Sequence, residues 1–373
     1  MTEDMQCAFT VPIYCAVDWK SEDGLKALQR FHTERREKAV SVTFEKSVPP
    51  MVWLDSSVFI DLAKIANDEN VEPKRAKSLR RMREVVRKAV RSDLVICPEW
   101  DQALEFEGKR LEHSIRRIVS DLACGARCVP YGGVKDQQFI AGLKAYLAAA
   151  DSVHIPRQIY FERDPLKSVQ ESKRQGYIVE VDMPKPAEWL LRADENRRKG
   201  QADVEALRSK YHAQKQTFEQ QLALERIGES DVMLSMIGDY MKAVAAGTVD
   251  IWGYFGVLGF FQYQEAWRRM GGPLPELPAI YSFMRSPYYW ELPLQDISCR
   301  IFADLLVRHH PVKSGDSKDV DHLSMAIPVA QYVVADKAMV DRCKRLCIDK
   351  KWSTNMYVNR TLDDLCDEIE SLR

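Results

Sequence analysis

Short apolar runs that end in an acidic residue occur at two places far apart in the chain. Residues 51–54 are apolar, Asp55 and two serines follow, and an amphipathic pattern begins at Val58. Residues 332–335 repeat this order, because an apolar run rich in valine is followed by Asp336 and then by a helical pattern. Each run predicts a buried strand that ends in an acid and turns directly into a helix.

Three further acidic candidates lie in predicted helices. Asp319 and Asp321 open a helix predicted over residues 319–326, and Glu105 lies about two turns into a helix that follows a predicted strand over residues 93–97. Alternating strands and helices predict a parallel sheet, whose strands end at one shared edge. Several carboxylates gathered there cannot all stay ionised without a cation. Oxygen ligands of this kind suit Mg²⁺ or Mn²⁺.

The alternation of strands and helices stops in the middle of the chain. It is present over residues 51–119 and 296–373, whereas residues 120–295 are dominated by helix-forming residues. Within that stretch, residues 196–226 carry mixed charges and favour an exposed helix or hairpin over a coiled coil. The predicted fold class is therefore α/β: an N-terminal extension over residues 1–50, then a parallel-sheet core in two halves interrupted by a large α-helical insertion.

Composition indicates an ordinary globular protein of more than one domain. The chain has 373 residues, of which 46% are hydrophobic and 29% charged. The longest apolar stretch is shorter than the ~20 residues of a membrane span, and the N-terminus lacks the basic start and apolar core of a signal peptide. Nine cysteines at irregular spacings fit a reducing compartment. We therefore expect a cytoplasmic protein that does not enter a membrane.

Net charge is −1, but the charge is unevenly distributed. Residues 72–91 contain nine basic residues and two acidic ones, directly after the first predicted strand and helix. As a helix, this run presents a cationic stripe that can contact nucleic-acid phosphates, with Arg80, Arg81, Arg87 and Lys88 as the candidates. The competing interpretation is a solvated helix face.

Four sequence segments together resemble the acidic positions of PIN-domain nucleases, in the usual order for that family. The segments are LDSSVFIDLAK, ICPEWDQALEFEG, DVDHLSMAIP and YVVAD, and the resemblance covers roughly residues 51–108 and 296–358. In that family an Asp after the first strand, a Glu on an early helix and one or two late Asp residues hold a divalent metal and cleave RNA. The gap between the second and third segments is longer than the family's compact core needs.

The resemblance implies roles for individual residues. It makes Asp55, Glu105, Asp319 and Asp336 catalytic, and it makes these four together with Asp321 the ligands of Mg²⁺ or Mn²⁺. On this basis the chain is expected to be a metal-dependent endoribonuclease that hydrolyses RNA phosphodiester bonds.

Several alternatives stay open for the individual residues. Asp55 could serve simply as the cap of the helix that follows it, with no role in metal binding. Asp319 and Asp321 lie two residues apart and point in different directions, and His322 could hydrogen-bond Asp319. The role assigned to Glu105 could instead be filled by one of its acidic neighbours, Glu99, Asp101 or Glu107.

Alternatives also stay open for the function. The same acids would suit a DNA nuclease, because only contacts to the 2′-hydroxyl distinguish RNA. The fold could also be a catalytically degenerate scaffold that binds a partner through the helical insertion, or a hydrolase of small phosphate esters. A homo-oligomer and a regulatory protein partner are both compatible with the sequence.

Overall fold

The computed structural model describes residues 22–100, 106, 110–175, 187–248, 251–274, 276–308 and 315–372. They fall into two compact units. The helical unit comprises the described residues of Met1–Thr43, Gln137–His154 and Ala223–Asp296. The sheet unit comprises those of Phe44–Asp136, Ile155–Leu222 and Ile297–Arg373. These bounds differ from those of the predicted insertion, since part of the stretch over residues 120–295 belongs to the sheet unit.

Helices make up most of the described chain, and a few short strands accompany them. In chain order the α-helices are α1 Glu22–Arg36, α2 Ser56–Ala66, α3 Pro73–Arg91, α4 Glu112–Ala123, α5 Tyr131–Leu147, α6 Pro165–Gln175, α7 Ala187–Ala213, α8 Phe218–Ala246, α9 Ile251–Arg269, α10 Glu276–Met284, α11 Pro287–Trp290, α12 Pro293–Val307, α13 Asp316–Val329, α14 Lys337–Arg345, α15 Ile348–Lys351 and α16 Leu362–Ser371. The strands are β1 Ser41–Phe44, β2 Val52–Leu54, β3 Ser152–Ile155, β4 Tyr332–Val334 and β5 Asn355–Tyr357. Short 3₁₀ helices span Arg157–Tyr160 and Asn359–Thr361.

The sheet of the sheet unit is parallel and has β4 between β2 and β5. Leu54 lies opposite Val334 in the register of β2 and β4. On the other side of β2, Met51 forms a parallel bridge with Ile96, and Glu99 forms one with Arg127. The described residues are mostly helical with a small parallel sheet, which is compatible with the predicted α/β class, and β2 has parallel pairing on both sides.

Helices pack on the sheet through a buried apolar cluster. Val52, Leu54 and Val334 belong to this cluster together with buried residues of α2, α3, α4 and α16. Because side chains alternate along a strand, Trp53 points to the opposite face. Its ring centroid lies 6.3 Å from that of His322 on α13, so α13 contributes to this second face. Burial of both faces is usual for parallel sheets.

Aromatic side chains fill the interior of the helical unit. Phe139 stacks on Tyr263 with ring centroids 3.8 Å apart, and Tyr146 makes edge contacts with Phe283 and Tyr288. Trp267 is fully buried and donates from Nε1 to the Pro273 carbonyl at 2.8 Å. These aromatic residues therefore serve as core.

No helix among the described residues combines the length and apolar character that crossing a bilayer requires.

Candidate metal centre

Asp55 and Asp336 lie at the carboxyl ends of the two adjacent central strands. The Asp55 N–H donates to the Val334 carbonyl at 2.9 Å, so it continues the ladder between β2 and β4 by one residue. From β2 the chain proceeds to a parallel neighbour at Ile96 on one side, and much later it returns to form β4 on the other side. This reversal is a topological switch point, where open α/β sheets form their ligand-binding crevice.

Both acids also cap the helices that follow them. Asp55 Oδ2 accepts hydrogen bonds from the backbone N–H of Ser57 at 3.0 Å and from its hydroxyl at 2.5 Å. Asp336 Oδ1 accepts one from the Met339 N–H at 3.0 Å. The capping bond of Asp336 uses one of its two carboxylate oxygens, so capping and metal binding do not exclude each other there. The positive ends of the α2 and α14 dipoles also offset the repulsion between the two carboxylates.

The first turns of α13 lie near the same edge of the sheet. At the other end of this helix, the Lys46 ammonium donates to the carbonyls of Ile327 and Ala330 and to the Thr354 hydroxyl just before β5, at the amino edge of the sheet. From Val329 back to Asp321, α13 rises about 12 Å, whereas β4 and its extension to Asp336 rise about 13 Å. For a helix antiparallel to β4, these rises bring the start of α13 level with Asp336.

Asp319 is on the face of α13 that is directed toward the sheet. It lies three residues before His322, so the two share a helix face, and His322 is buried against Trp53. Trp53 and Asp55 are two residues apart along the strand direction and share a sheet face. Asp319 is therefore on the same side of the sheet as Asp55.

Asp321 has a different environment. Burial raises the pKa of its carboxyl group, an effect that the nearby charges of Lys318, His322 and Lys135 partly offset. A carboxylate whose charged form is disfavoured can gain from a bound cation, but it can also stay protonated. The choice between Asp319 and Asp321 as the main ligand stays a prediction.

Glu105 lies outside the described residues, as do Asp101 and Glu107. Glu99 is described, and its side chain pairs with Arg127 at 3.3 Å. Within the described residues, no three His, Cys, Asp or Glu side chains form a group able to hold a metal ion. Two carboxylates nevertheless fit Mg²⁺, because this ion keeps several waters and usually takes one or two protein carboxylates together with substrate phosphates.

A groove adjoins Asp336 on the side of β5. It has a volume of about 290 Å³, and Lys337 and Lys344 of α14 line it together with Tyr357, Asp364 and Glu368. Sequence reasoning did not single out these two lysines. The signal available for Lys337 was its position directly after Asp336.

The predicted cationic stripe lies on α3, and three of its four candidates are in ion pairs. Arg81 contacts Asp363, Asp367 and Glu370 of α16 at 3.4, 2.5 and 2.8 Å. On α3 itself, Glu84 pairs with Arg87 at 2.7 Å and with Lys88 at 3.5 Å. Arg80 is exposed and has no ion pair within the described part of the chain. Much of this charge is thus neutralised internally, and phosphate binding by the stripe stays a prediction.

No protein-family model matches the chain, and neither a curated protein nor a solved structure does. The resemblance to PIN-domain nucleases therefore depends on the residues of the chain and the geometry described above.

Proposed function

We propose that the chain is a metal-dependent endoribonuclease with a PIN-like core, whose site lies at the carboxyl edge of β2 and β4. One observation carries this proposal: Asp55 and Asp336, from distant parts of the sequence, end two adjacent parallel strands at the switch point of the sheet. Helix caps also occur at this edge of a parallel sheet, so the placement of both acids at the switch point is what supports a ligand role.

In this proposal Asp55 and Asp336 hold Mg²⁺ or Mn²⁺, and Asp319 and Glu105 complete the site. The bound ion would supply stabilisation of the charge that develops on the phosphate and the leaving oxygen. The capping bonds keep both carboxylates in fixed orientations, which reduces the cost of assembling the site. In this proposal Asp319, on the Asp55 side of the sheet, orients the attacking water. Trp53 and His322 are buried behind these acids and hold α13 in place.

A catalytically degenerate scaffold is the second candidate, and one observation favours it. Helix α8 exposes apolar side chains to solvent: Met241, 57% exposed, and Val244, 46% exposed, are three residues apart and share a face. Exposed apolar side chains close together on one helix are typical of a surface that binds another protein. The acids at the switch point favour the nuclease, because a scaffold does not need them.

A cleavage assay tests the proposal. The purified chain is incubated with end-labelled single-stranded RNA, and with DNA of the same sequence, in EDTA, Mg²⁺, Mn²⁺ or Ca²⁺. We expect internal cleavage of RNA with Mg²⁺ or Mn²⁺ and none in EDTA. Equal cleavage of DNA would move the proposal to a general nuclease, and no cleavage of either substrate would favour the scaffold.

The variant Asp55→Asn shows whether the activity belongs to this site. Asparagine caps helices about as well as aspartate, so the melting temperature without metal should hold or rise as carboxylate repulsion is relieved. Cleavage should fall at least about hundredfold, because even residues that only support metal ligands contribute 10- to 100-fold. Asp68→Asn, the same substitution at an exposed position two residues beyond the end of α2, is the control and should cleave normally. Wild-type cleavage by the Asp55 variant would contradict the assignment.

A further inference from the structure

Three arginines surround one buried carboxylate in the sheet unit. Asp304 of α12 accepts from Arg308 Nε at 2.6 Å, Arg342 Nε at 2.9 Å and an Arg345 terminal nitrogen at 2.7 Å. The Asp304 side chain is 2% exposed, whereas those of Arg308 and Arg345 are 45% and 37% exposed. We call Arg308, Arg342 and Arg345 the arginine cluster.

The charges of the arginine cluster do not balance. Three guanidinium groups carry three positive charges, and Asp304 supplies one negative charge. Within the described residues, none of the three has a second carboxylate at ion-pair distance. Each guanidinium has five N–H donors and gives one of them to Asp304, so Arg308 and Arg345 keep donors on their exposed sides. Arg208 lies beside Arg308 and donates to its carbonyl at 3.0 Å, but Glu205 balances its charge at 2.9 Å.

This arrangement is the reverse of that at Arg81 on α3. There one arginine meets three carboxylates, whereas here one carboxylate meets three arginines. A buried carboxylate that orients several guanidinium groups pre-organises them for an anion, and arginine pairs with two oxygens of a phosphate through two parallel hydrogen bonds. The arginine cluster is therefore better suited to bind phosphate than Arg81.

Helix α14 links the arginine cluster to the candidate metal centre. Helix α14 begins directly after Asp336, and Arg342 and Arg345 are three residues apart on one of its faces. Along the helix axis they lie about 9 and 14 Å from Asp336. In duplex DNA a strand advances about 3.4 Å along the helix axis per phosphate, and on that scale this distance corresponds to roughly three or four nucleotides.

We propose that the arginine cluster binds the phosphate backbone of single-stranded RNA a few nucleotides from the bond placed at Asp55 and Asp336. Asp304 is its positioning residue. This inference rests on the proposed function for its choice of RNA. It assigns the main phosphate contacts to α12 and α14 instead of α3.

Binding is measured in EDTA on the Asp55→Asn chain, with a fluorescein-labelled single-stranded RNA of mixed sequence at 50, 100 and 200 mM salt. The test variant is Arg308→Gln with Arg345→Gln. Two lost contacts should flatten the slope of log affinity against log salt by up to about 1.4, so the loss of affinity between 50 and 200 mM salt becomes about sevenfold smaller. At 50 mM salt the test variant should bind at least about tenfold more weakly than the parent.

Matched variants separate this effect from lost charge or lost folding. Arg80→Gln with Lys88→Gln removes the same charge from α3 and should change the slope less. Arg345→Lys keeps the charge, so its slope of log affinity against log salt should stay close to that of the parent. Arg345→Gln alone tests folding, because Arg308 and Arg342 still pair with Asp304 in that variant. A parent-like slope in both Gln variants of the arginine cluster, or a larger effect of the α3 pair, would overturn the inference.

The cleavage assay and the binding assay distinguish a failure of the proposed function from a failure of this inference. If the chain binds RNA through the arginine cluster but cleaves none with Mg²⁺ or Mn²⁺, the nuclease proposal fails, whereas the assignment of the arginine cluster as an RNA-binding surface stands. If the chain cleaves RNA and the variants of the arginine cluster bind like the parent, only this inference fails.

Discussion

Arg35 in the helical unit and Asp336 in the sheet unit both satisfy the end of a helix, but they do so in different surroundings. Arg35 is buried and donates to the Tyr146, Leu147 and Phe31 carbonyls at 2.6, 3.2 and 2.9 Å, which closes the carboxyl end of α5. Asp336 is half-buried and caps the amino end of α14 with one oxygen. A cation at a helix carboxyl end and an anion at an amino end both complement the helix dipole.

The two residues differ in the capacity of the side chain to bind anything beyond the helix end. The Arg35 guanidinium is enclosed by carbonyls and by the Phe31 ring, 3.5 Å away, so its role is structural. Asp336 is half-buried at the end of β4, the strand adjacent to the one that ends in Asp55, and capping uses only one of its carboxylate oxygens. Changes in the helical unit should therefore alter stability, and changes at the sheet edge should alter activity.

The largest effect is expected at Asp336. Asp336→Asn keeps the cap and should lower RNA cleavage at least about hundredfold with little change in melting temperature. Asp336→Ala loses the cap as well and should also lower the free energy of unfolding by about 1 kcal/mol. Cleavage rates and urea denaturation of both variants measure the two contributions. If Asp336→Asn cleaved normally and only the Ala variant were affected, Asp336 would be a cap alone.

The second effect is expected at Arg35. Arg35→Met removes three hydrogen bonds that a charged group donates, and each such bond contributes about 1.5–3 kcal/mol. The helical unit should lose about 3 kcal/mol or more, seen as faster amide hydrogen exchange in α1 and α5. Arg30→Met, an exposed change on the same helix, is the control. Parent-like exchange in the Arg35 variant would contradict a structural role.

The third effect is a pH dependence of the helical unit. His32 is buried with Nδ1 2.6 Å from the Tyr146 hydroxyl, and its burial, together with the charges of Arg36 and Arg35, lowers its pKa to about 4. Between about pH 6.5 and pH 4 the unfolded state binds more protons at this residue than the folded state. Stability is therefore fully present above pH 6.5 and is lost as pH falls toward 4, by up to about 3 kcal/mol.

Unfolding free energies between pH 4 and pH 7 test this dependence. His32→Gln should remove most of the slope, whereas His113→Gln, an exposed change in the sheet unit, should leave it intact. An unchanged slope in the His32 variant would assign the acid sensitivity to other groups.

The smallest effect separates the two acids of α13. Asp319 shares a side of the sheet with Asp55, so Asp319→Asn should lower cleavage about tenfold more than Asp321→Asn. Removing the disfavoured charge of Asp321 should instead raise the melting temperature slightly. The reverse order of cleavage rates would make Asp321 the main ligand.

Local patterns predicted the elements that carry the candidate site. The strand, acid and helix order at Asp55 and Asp336 appears as β2 with α2 and as β4 with α14, because apolar runs and capping residues act over a few positions. The helix expected over residues 319–326 is part of α13. Glu105, which the same reasoning favoured, lies outside the described residues.

Partners across the fold could not be predicted in the same way. The basic run at residues 72–91 is visible as charge, but nothing local indicates that Arg81 meets three carboxylates of α16. The arginine cluster is equally hidden, since Asp304 and Arg342 belong to different helices. The bounds of the two units could not be predicted either, because a helix-forming composition does not indicate which helices pack together.

The sequence by itself determined that acids stand at strand ends, because burial and helix capping select residue types over short stretches of chain. Only the tertiary structure decided that β2 and β4 are neighbours, which brings Asp55 and Asp336 to the same edge. Parallel strands choose their partners through the packing of both sheet faces and through long connections, and these depend on the whole chain. A candidate site built from such strands therefore exists only once the sheet has formed.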